Sequence, residues 1–133
     1  MTHMTKQELI KTIKSRYLKA NKREKGKFFE NIAVEYLVLN NYKIIERNFY
    51  TKIGEIDLIC EKENTIIFFE IKGGVCKEKI FELLNKNKIN RIKKVANIFL
   101  SKNKKFALYK KRIDALIIIA MEGNLRFLHY KNI

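Results

Sequence analysis

Apolar residues recur along this chain with two different spacings. Near the start, Leu9, Ile10, Ile13 and Tyr17 share one side of a helical period, with Lys and Arg on the other. "TKQE" at Thr5 to Glu8 has the form of a capping box, so a helix is expected over residues 5–20. The polar "NKREKGK" that follows reads as a linker around Gly26. "FFENIAVEYLVLN" predicts a second helix over about Phe28 to Asn40, apolar on more than one face and therefore well buried. From Tyr42 the pattern becomes strand-like. "YKIIERNFY", Ile53 to Cys60 and Thr65 to Lys72 predict three strands with short links, hence an antiparallel meander. Helical spacing returns at "INRIKKVANIFL". "IDALIIIAM" is too continuously apolar for an edge strand, and "EGN" turns it into a last strand, "LRFLHY". A strand reached through a long helix calls for a parallel addition. The expectation is an α/β (α+β) fold, a single mixed β-sheet of about five strands flanked by helices, with an extra N-terminal helix.

The second and third strands carry charges inside their apolar runs. With Glu63-Asn64 as a two-residue turn, Lys62 opposes Thr65, Asp57 opposes Glu70, and Glu55 opposes Lys72. Strict alternation puts Glu55, Asp57, Ile59, Ile66, Phe68, Glu70 and Lys72 on one face. It puts Ile56, Leu58, Cys60, Ile67, Phe69 and Ile71 on the other. Carboxylates directly opposed across strands have Cβ atoms roughly 4.5–5.5 Å apart and repel. A hard divalent cation removes that penalty, because Mg²⁺ takes one or two carboxylates from a protein. Such an ion polarises phosphate and acidifies bound water. Lys72 on the same face would stand beside that water. A merely solvated face, with Glu55–Lys72 as a surface ion pair, would not normally carry Ile59, Ile66 and Phe68 as well.

Charge sharpens this picture. The chain has 133 residues and a formal net charge of +15, which suits one domain. Residues 1–27 hold nine Lys/Arg against two Asp/Glu, residues 28–76 five against eight, and residues 77–112 thirteen against two. Basic flanks around an acidic centre are the layout for gripping a polyanion around a cation site, although lysine-rich helices also serve as soluble faces. Ala115 to Met121 is too short to span a bilayer, and the N-terminus lacks the apolar core of a signal peptide. Cys60 and Cys76 are not at metal-ligand spacing and read as reduced thiols, so the expectation is a cytoplasmic protein without membrane contact. Asp114 reads as a buried structural carboxylate. His3 and His129 have no partner at ligand spacing, and Tyr109 to Arg112 reads as a basic loop.

Asp57 followed by Glu70-Ile71-Lys72 resembles the D…(D/E)-x-K signature of the restriction-endonuclease-like nucleases. "YKIIERNF", "GEIDLI", "FFEIK", "KINRIKKVANIFL" and "RIDALII" together resemble the YraN family of predicted endonucleases, as does the ending "HYKN" with its His-x-x-Asn. The resemblance covers about Gly26 to the end. It implies a Holliday-junction-resolvase-like fold, with a nuclease-like domain at 26–133 and a basic helical extension at 1–25. It implies a Mg²⁺- or Mn²⁺-dependent DNA endonuclease acting on branched or recombination and repair intermediates. Asp57, Glu70 and Lys72 would be catalytic, Asp57 and Glu70 would hold metal, and Glu30 on the first core helix would join them. Glu55 is read as a partner of Lys72 rather than a ligand. Lys88, Arg91, Lys93 and Lys94 are candidate phosphate contacts, which position DNA without reading sequence. A homodimer would suit a two-fold-symmetric junction. Gly73-Gly74 stands where that family usually has Thr-Arg. The competing expectations are a DNA-binding accessory protein that does not cut and, less favoured, a scaffold whose basic helices bind an acidic partner.

Overall fold

Asn21 opens the first long helix. Its Oδ1 accepts from the Glu24 N–H at 2.9 Å and its Nδ2 donates to Glu24 Oε1 at 3.0 Å, a reciprocal cap. The helix, α1, runs Lys22–Leu39. The segment "KREKGK", expected as part of a linker, therefore forms its first turns. The cap and good helix formers outweigh the single glycine, which costs only about 1 kcal/mol relative to Ala at an exposed helical site. α1 ends where Asn41 takes φ 67°. The Tyr42 N–H then donates to the Leu37 carbonyl at 2.9 Å and the Asn41 N–H to that of Val38 at 3.1 Å. The computed structural model describes residues 21–74, 85–121 and 123–133, with Thr5, Gln7, Glu8 and Lys11. The Glu8 N–H donates to Thr5 Oγ1 at 3.1 Å, as a capping box requires. The rest of that expected helix, His3 and Cys76 lie outside the described residues.

Five strands follow: β1 Lys43–Tyr50, β2 Glu55–Lys62, β3 Thr65–Gly73, β4 Lys110–Met121 and β5 Asn124–Tyr130. A second helix, α2, spans Lys86–Lys102 between β3 and β4, and a 3₁₀ turn covers Lys104–Phe106. The sheet order is β1-β2-β3-β4-β5. Every pairing is antiparallel except β3 with β4, which is parallel. Glu63 and Asn64 both have positive φ, 49° and 58°, the geometry of a two-residue hairpin turn matched to strand twist. That turn fixes the expected register, Lys62↔Thr65 through Leu58↔Phe69.

The sheet is covered on both faces. α1 contributes Phe29, Ile32, Ala33 and Leu37 to a core with Leu58, Cys60, Ile67, Phe69, Leu116 and Ile118. α2 contributes Ile92, Val95, Ala96 and Phe99 to a second core with Ile56, Ile59, Ile66, Phe68 and Phe106. Burial on two sides explains the near-continuous apolar run of β4. Cys60 is a free, fully buried thiol that burial pushes up to about 12. Among the described residues no helix is long and apolar enough to cross a membrane.

β4 and the C-terminal residues are locked by Asp114, which is 0% exposed. Its oxygens accept Arg112 Nε and Nη2 at 2.8 and 3.0 Å and the Asn132 N–H at 2.9 Å, and His129 Nε2 lies 2.7 Å away. Burial alone would raise this carboxyl, but the bonds from His129, Arg112 and Asn132 outweigh it and hold it below its usual value. The structural reading of Asp114 stands, and His129 acquires a partner from a different strand. Asp114→Ala leaves the half-buried Arg112 guanidinium, His129 and the Asn132 N–H without their shared acceptor. It should cost about 3–5 kcal/mol, measured as a lower urea midpoint, with Phe127→Leu on the adjacent strand as a milder control.

Candidate active site

β2 and β3 part company at one end of the sheet. Their pairing stops at Leu58↔Phe69, one residue short of Asp57 and Glu70. On the other side, the β1–β2 pairing joins Arg47 to Leu58 and Phe49 to Ile56 but omits Asn48, which lies opposite Asp57. Asn48 has φ 53°, a left-handed conformation that Asn tolerates better than most residues. Residues two apart on a regular strand share a face. Here they do not. Arg47 reaches α1, its Nη2 2.6 Å from Asn31 Oδ1, while Phe49 packs on the α2 side. Leu58 belongs to the α1 core and Ile56 to the α2 core. Strict alternation had placed Ile56 with Leu58. The paired kink at Asn48 and Asp57 reverses it.

The kink leaves the Asp57 carboxylate to fill the gap. Its Oδ2 accepts the Ile71 N–H at 2.7 Å, taking the place of a strand carbonyl. Around it lies a cavity of about 590 Å³. α1 supplies Glu30, β2 supplies Glu55 and Asp57, β3 supplies Glu70 and Lys72, and α2 supplies Lys88 and Arg91. All three catalytic candidates and Glu30 thus line one space. Glu55 and Lys72 are both exposed at its edge and form no ion pair with each other. Of the four candidate phosphate contacts, Lys88 and Arg91 reach this cavity. Lys93 lines a separate hollow of about 310 Å³, and Lys94 is exposed.

The electrostatics are strained. Burial, then the neighbouring Glu70 carboxylate, push Asp57 up to about 7, against the Ile71 N–H that pulls it down. Burial likewise raises Glu30, opposed chiefly by Arg47 and by a side-chain bond from Asn48. Glu30 Oε1 is buried and has no hydrogen-bond partner. Glu70, only 8% exposed, is answered by Lys88 Nζ at 2.9 Å. Among the described residues no three His, Cys, Asp or Glu side chains form a ready-made metal cage. Gly73 closes one wall: a Cβ there would lie 1.8 Å from Cγ of Phe29. The departure at this position is therefore matched by the aromatic ring on α1.

The model of "Uncharacterised protein family UPF0102" matches residues 29–118. The chain belongs to the UPF0102 family. It is 40% identical over 104 residues to UPF0102 protein FN1370 of Fusobacterium nucleatum, covering 77% of this chain and 87% of that one. It is 39% identical over 118 residues to UPF0102 protein SYO3AOP1_0546 of Sulfurihydrogenibium, covering 84% and 95%. A UPF0102 protein of Syntrophomonas wolfei is 35% identical over 114 residues, covering 83% of this chain and 96% of the relative. The UPF0102 match takes in Asn48 and the cavity-lining Glu30, Asp57, Glu70, Lys72, Lys88 and Arg91, and leaves out Lys25 and Gly26 of the cavity wall.

Asn48 is the site residue that pattern reading missed. Its signal was present, since Asn is depleted in strands and "ERNFY" places it mid-strand. Asn48→Gly keeps the left-handed backbone without steric cost, whereas Asn48→Ala keeps the Cβ there and loses the polar side chain that lets Asn tolerate it. Both lose the bond to Glu30. Urea denaturation should find Asn48→Ala less stable than Asn48→Gly by about 1–2 kcal/mol.

The raised Asp57 carboxyl also sets a pH dependence in metal-free buffer. Between its ordinary value of 3.8 and about 7, the folded chain holds a proton that the unfolded chain has lost. Stability from this group therefore falls as pH rises through that window and levels off above it. Asp57→Asn should flatten that fall. Thermal unfolding should show it more stable than the parent at pH 8 and similar at pH 4.

Proposed function

We propose that this protein is a metal-dependent DNA endonuclease of the YraN type, hydrolysing phosphodiesters in branched recombination or repair intermediates. The observation that carries this reading is the convergence of Asp57, Glu70 and Lys72 on one cavity, where two strands part beside the basic helix α2. The donor set fits Mg²⁺ or Mn²⁺. Asp57 and Glu70 offer hard oxygens, and Glu30 Oε1 is a buried acceptor awaiting a partner. Two carboxylates without a closed cage leave room for water and substrate phosphate, as Mg²⁺ sites usually require. When bound, the ion would supply charge neutralisation at phosphorus and a more acidic water.

The chain's own groups do the rest. Asp57 is fixed by the Ile71 N–H, so its free oxygen keeps one direction. Lys72 stands exposed on β3 beside the cavity, where its ammonium can hold the attacking water and offset charge developing on phosphorus. The water oxygen bonds to phosphorus, one bridging P–O bond breaks, and the departing oxygen takes a proton. Arg91 packs along Gly54 at the rim, where a side chain in place of Gly54 would crowd it, and is placed to receive a flanking phosphate.

A second reading rests on the Glu70–Lys88 pair. A protein that binds DNA without cutting it has reason to keep Glu70 neutralised by its own lysine, as it is here. Incubation with four-way, flapped and linear DNA decides between them. The expected result is cleavage with Mg²⁺ or Mn²⁺ and none with EDTA, reduced about 10²-fold or more by Asp57→Asn and by Lys72→Ala. Cleavage surviving both substitutions would remove this site from consideration, and metal-independent binding without cleavage would favour the accessory role.

A further inference from the structure

Residues 51–54 join β1 to β2 in a turn that is pinned by one side chain. Thr51 Oγ1 accepts the N–H groups of Ile53 and Gly54 at 3.2 and 3.1 Å and donates to the Gly54 carbonyl at 2.9 Å. The Thr51 N–H donates to that same carbonyl at 2.8 Å. From beneath, Gly54 is packed on Arg91 of α2, since a Cβ at Gly54 would come within 3.1 Å of Arg91 Cδ. A turn held this firmly is a support rather than a floppy link.

The turn presents apolar groups to water. Tyr50 is 69% exposed and Ile53 48% exposed, with Lys52 exposed between them. Tyr50 pairs in register with Glu55, and Glu55 and Gly54 both line the cavity. Tyr50 therefore sits on the neighbouring strand, one pairing position away from the cavity wall and outside its lining. Polar residues usually fill such turns, and an exposed Tyr and Ile leave water only by covering something.

We infer that this turn is a wedge that stacks on an unpaired base at the branch point of the DNA substrate. This rests on the DNA reading above and adds the residues that would select a branched substrate. Each part has a matching task. A tyrosine ring offers a face for any base, because every base has a π-face. A branched aliphatic side chain is suited to prop against an exposed base step, as apolar wedges do in kinked DNA. Lys52 can meet the phosphate between them, in keeping with the positive charge of the whole chain. Fully stacked duplex offers the wedge no base face, so the turn discriminates for branched over linear DNA. The rigid link through Gly54 and Glu55 fixes the branch point relative to Asp57.

The test is binding in EDTA, which separates it from cleavage. Fluorescence anisotropy compares a Y-fork with a linear duplex of equal length, and 2-aminopurine at the branch reports stacking. The parent should prefer the fork and quench 2-aminopurine. Tyr50→Ala with Ile53→Ser should weaken fork binding about tenfold, the order expected for one lost base–aromatic stack, and leave duplex binding unchanged. Tyr50→Phe should restore both preference and quenching. Both sites are exposed, so thermal unfolding should be little changed in these variants. Equal loss on fork and duplex overturns the wedge, as does a parent that binds both alike. If the turn instead covers a second copy of the chain, sedimentation shows a dimer that the double variant loses while fork preference persists, and the wedge is likewise overturned. A parent that binds no DNA removes the nuclease reading as well.

Discussion

One hydrogen bond organises the functional end of this molecule. The Ile71 N–H of β3 is answered by the Asp57 carboxylate where a regular sheet would offer a β2 carbonyl. That exchange is what allows the two strands to separate without leaving a buried donor orphaned. It also turns a carboxylate inward, where burial and Glu70 raise it. The opposing strand bends in concert, at the left-handed Asn48, and the side chains of both strands change faces beyond that line. The cavity is the space that this shared irregularity opens.

The helices then decide the charge in that space. α1 and α2 lie on opposite faces of the sheet and both reach the parted end. α1 brings Glu30, with one oxygen unsatisfied, and α2 brings Lys88 and Arg91. The Glu70–Lys88 pair shows that part of the negative charge is balanced from within. Asp57 and Glu30 are not balanced in this way, and desolvation raises both. A site with surplus carboxylate inside a chain of net charge +15 is the electrostatic layout on which the proposed cation and polyanion would depend.

Much of this was legible in the sequence because it depends on local rules. The Glu63-Asn64 turn sets the hairpin register, and the register brings Asp57 towards Glu70. The apolar continuity of β4 signals burial on two sides. The early start of α1 was also local, written in the Asn21–Glu24 cap, but the glycine and lysines after it looked more like a linker. Other features depend on groups far apart in the chain. Nothing near Gly73 announces Phe29, whose ring forbids a side chain there. Nothing near Asn48 states that its partner strand will kink at the same point. The face of Ile56 was misread for that reason: alternation is a rule for paired strands, and the pairing had ended.

Two aspartates of this sheet, buried Asp114 and half-buried Asp57, give the proposed function a physical argument beside the sequence pattern. Asp114 and Asp57 are both removed from much of the solvent, and burial alone would raise each. Asp114 is surrounded by donors from Arg112, His129 and Asn132, and these hold it below its usual value. Asp57 has one backbone donor and three carboxylates acting against it, and stands near 7. A fold that needed Asp57 only for stability has donors of the Asp114 kind available to it. Instead it keeps an under-satisfied acid against a cavity, with Glu30, Glu55 and Glu70 for company and Lys72 at the edge. Carboxylates so arranged cost stability in the absence of a counter-charge, and perturbed groups of this kind cluster at functional sites, which is the physical support for the proposed cation.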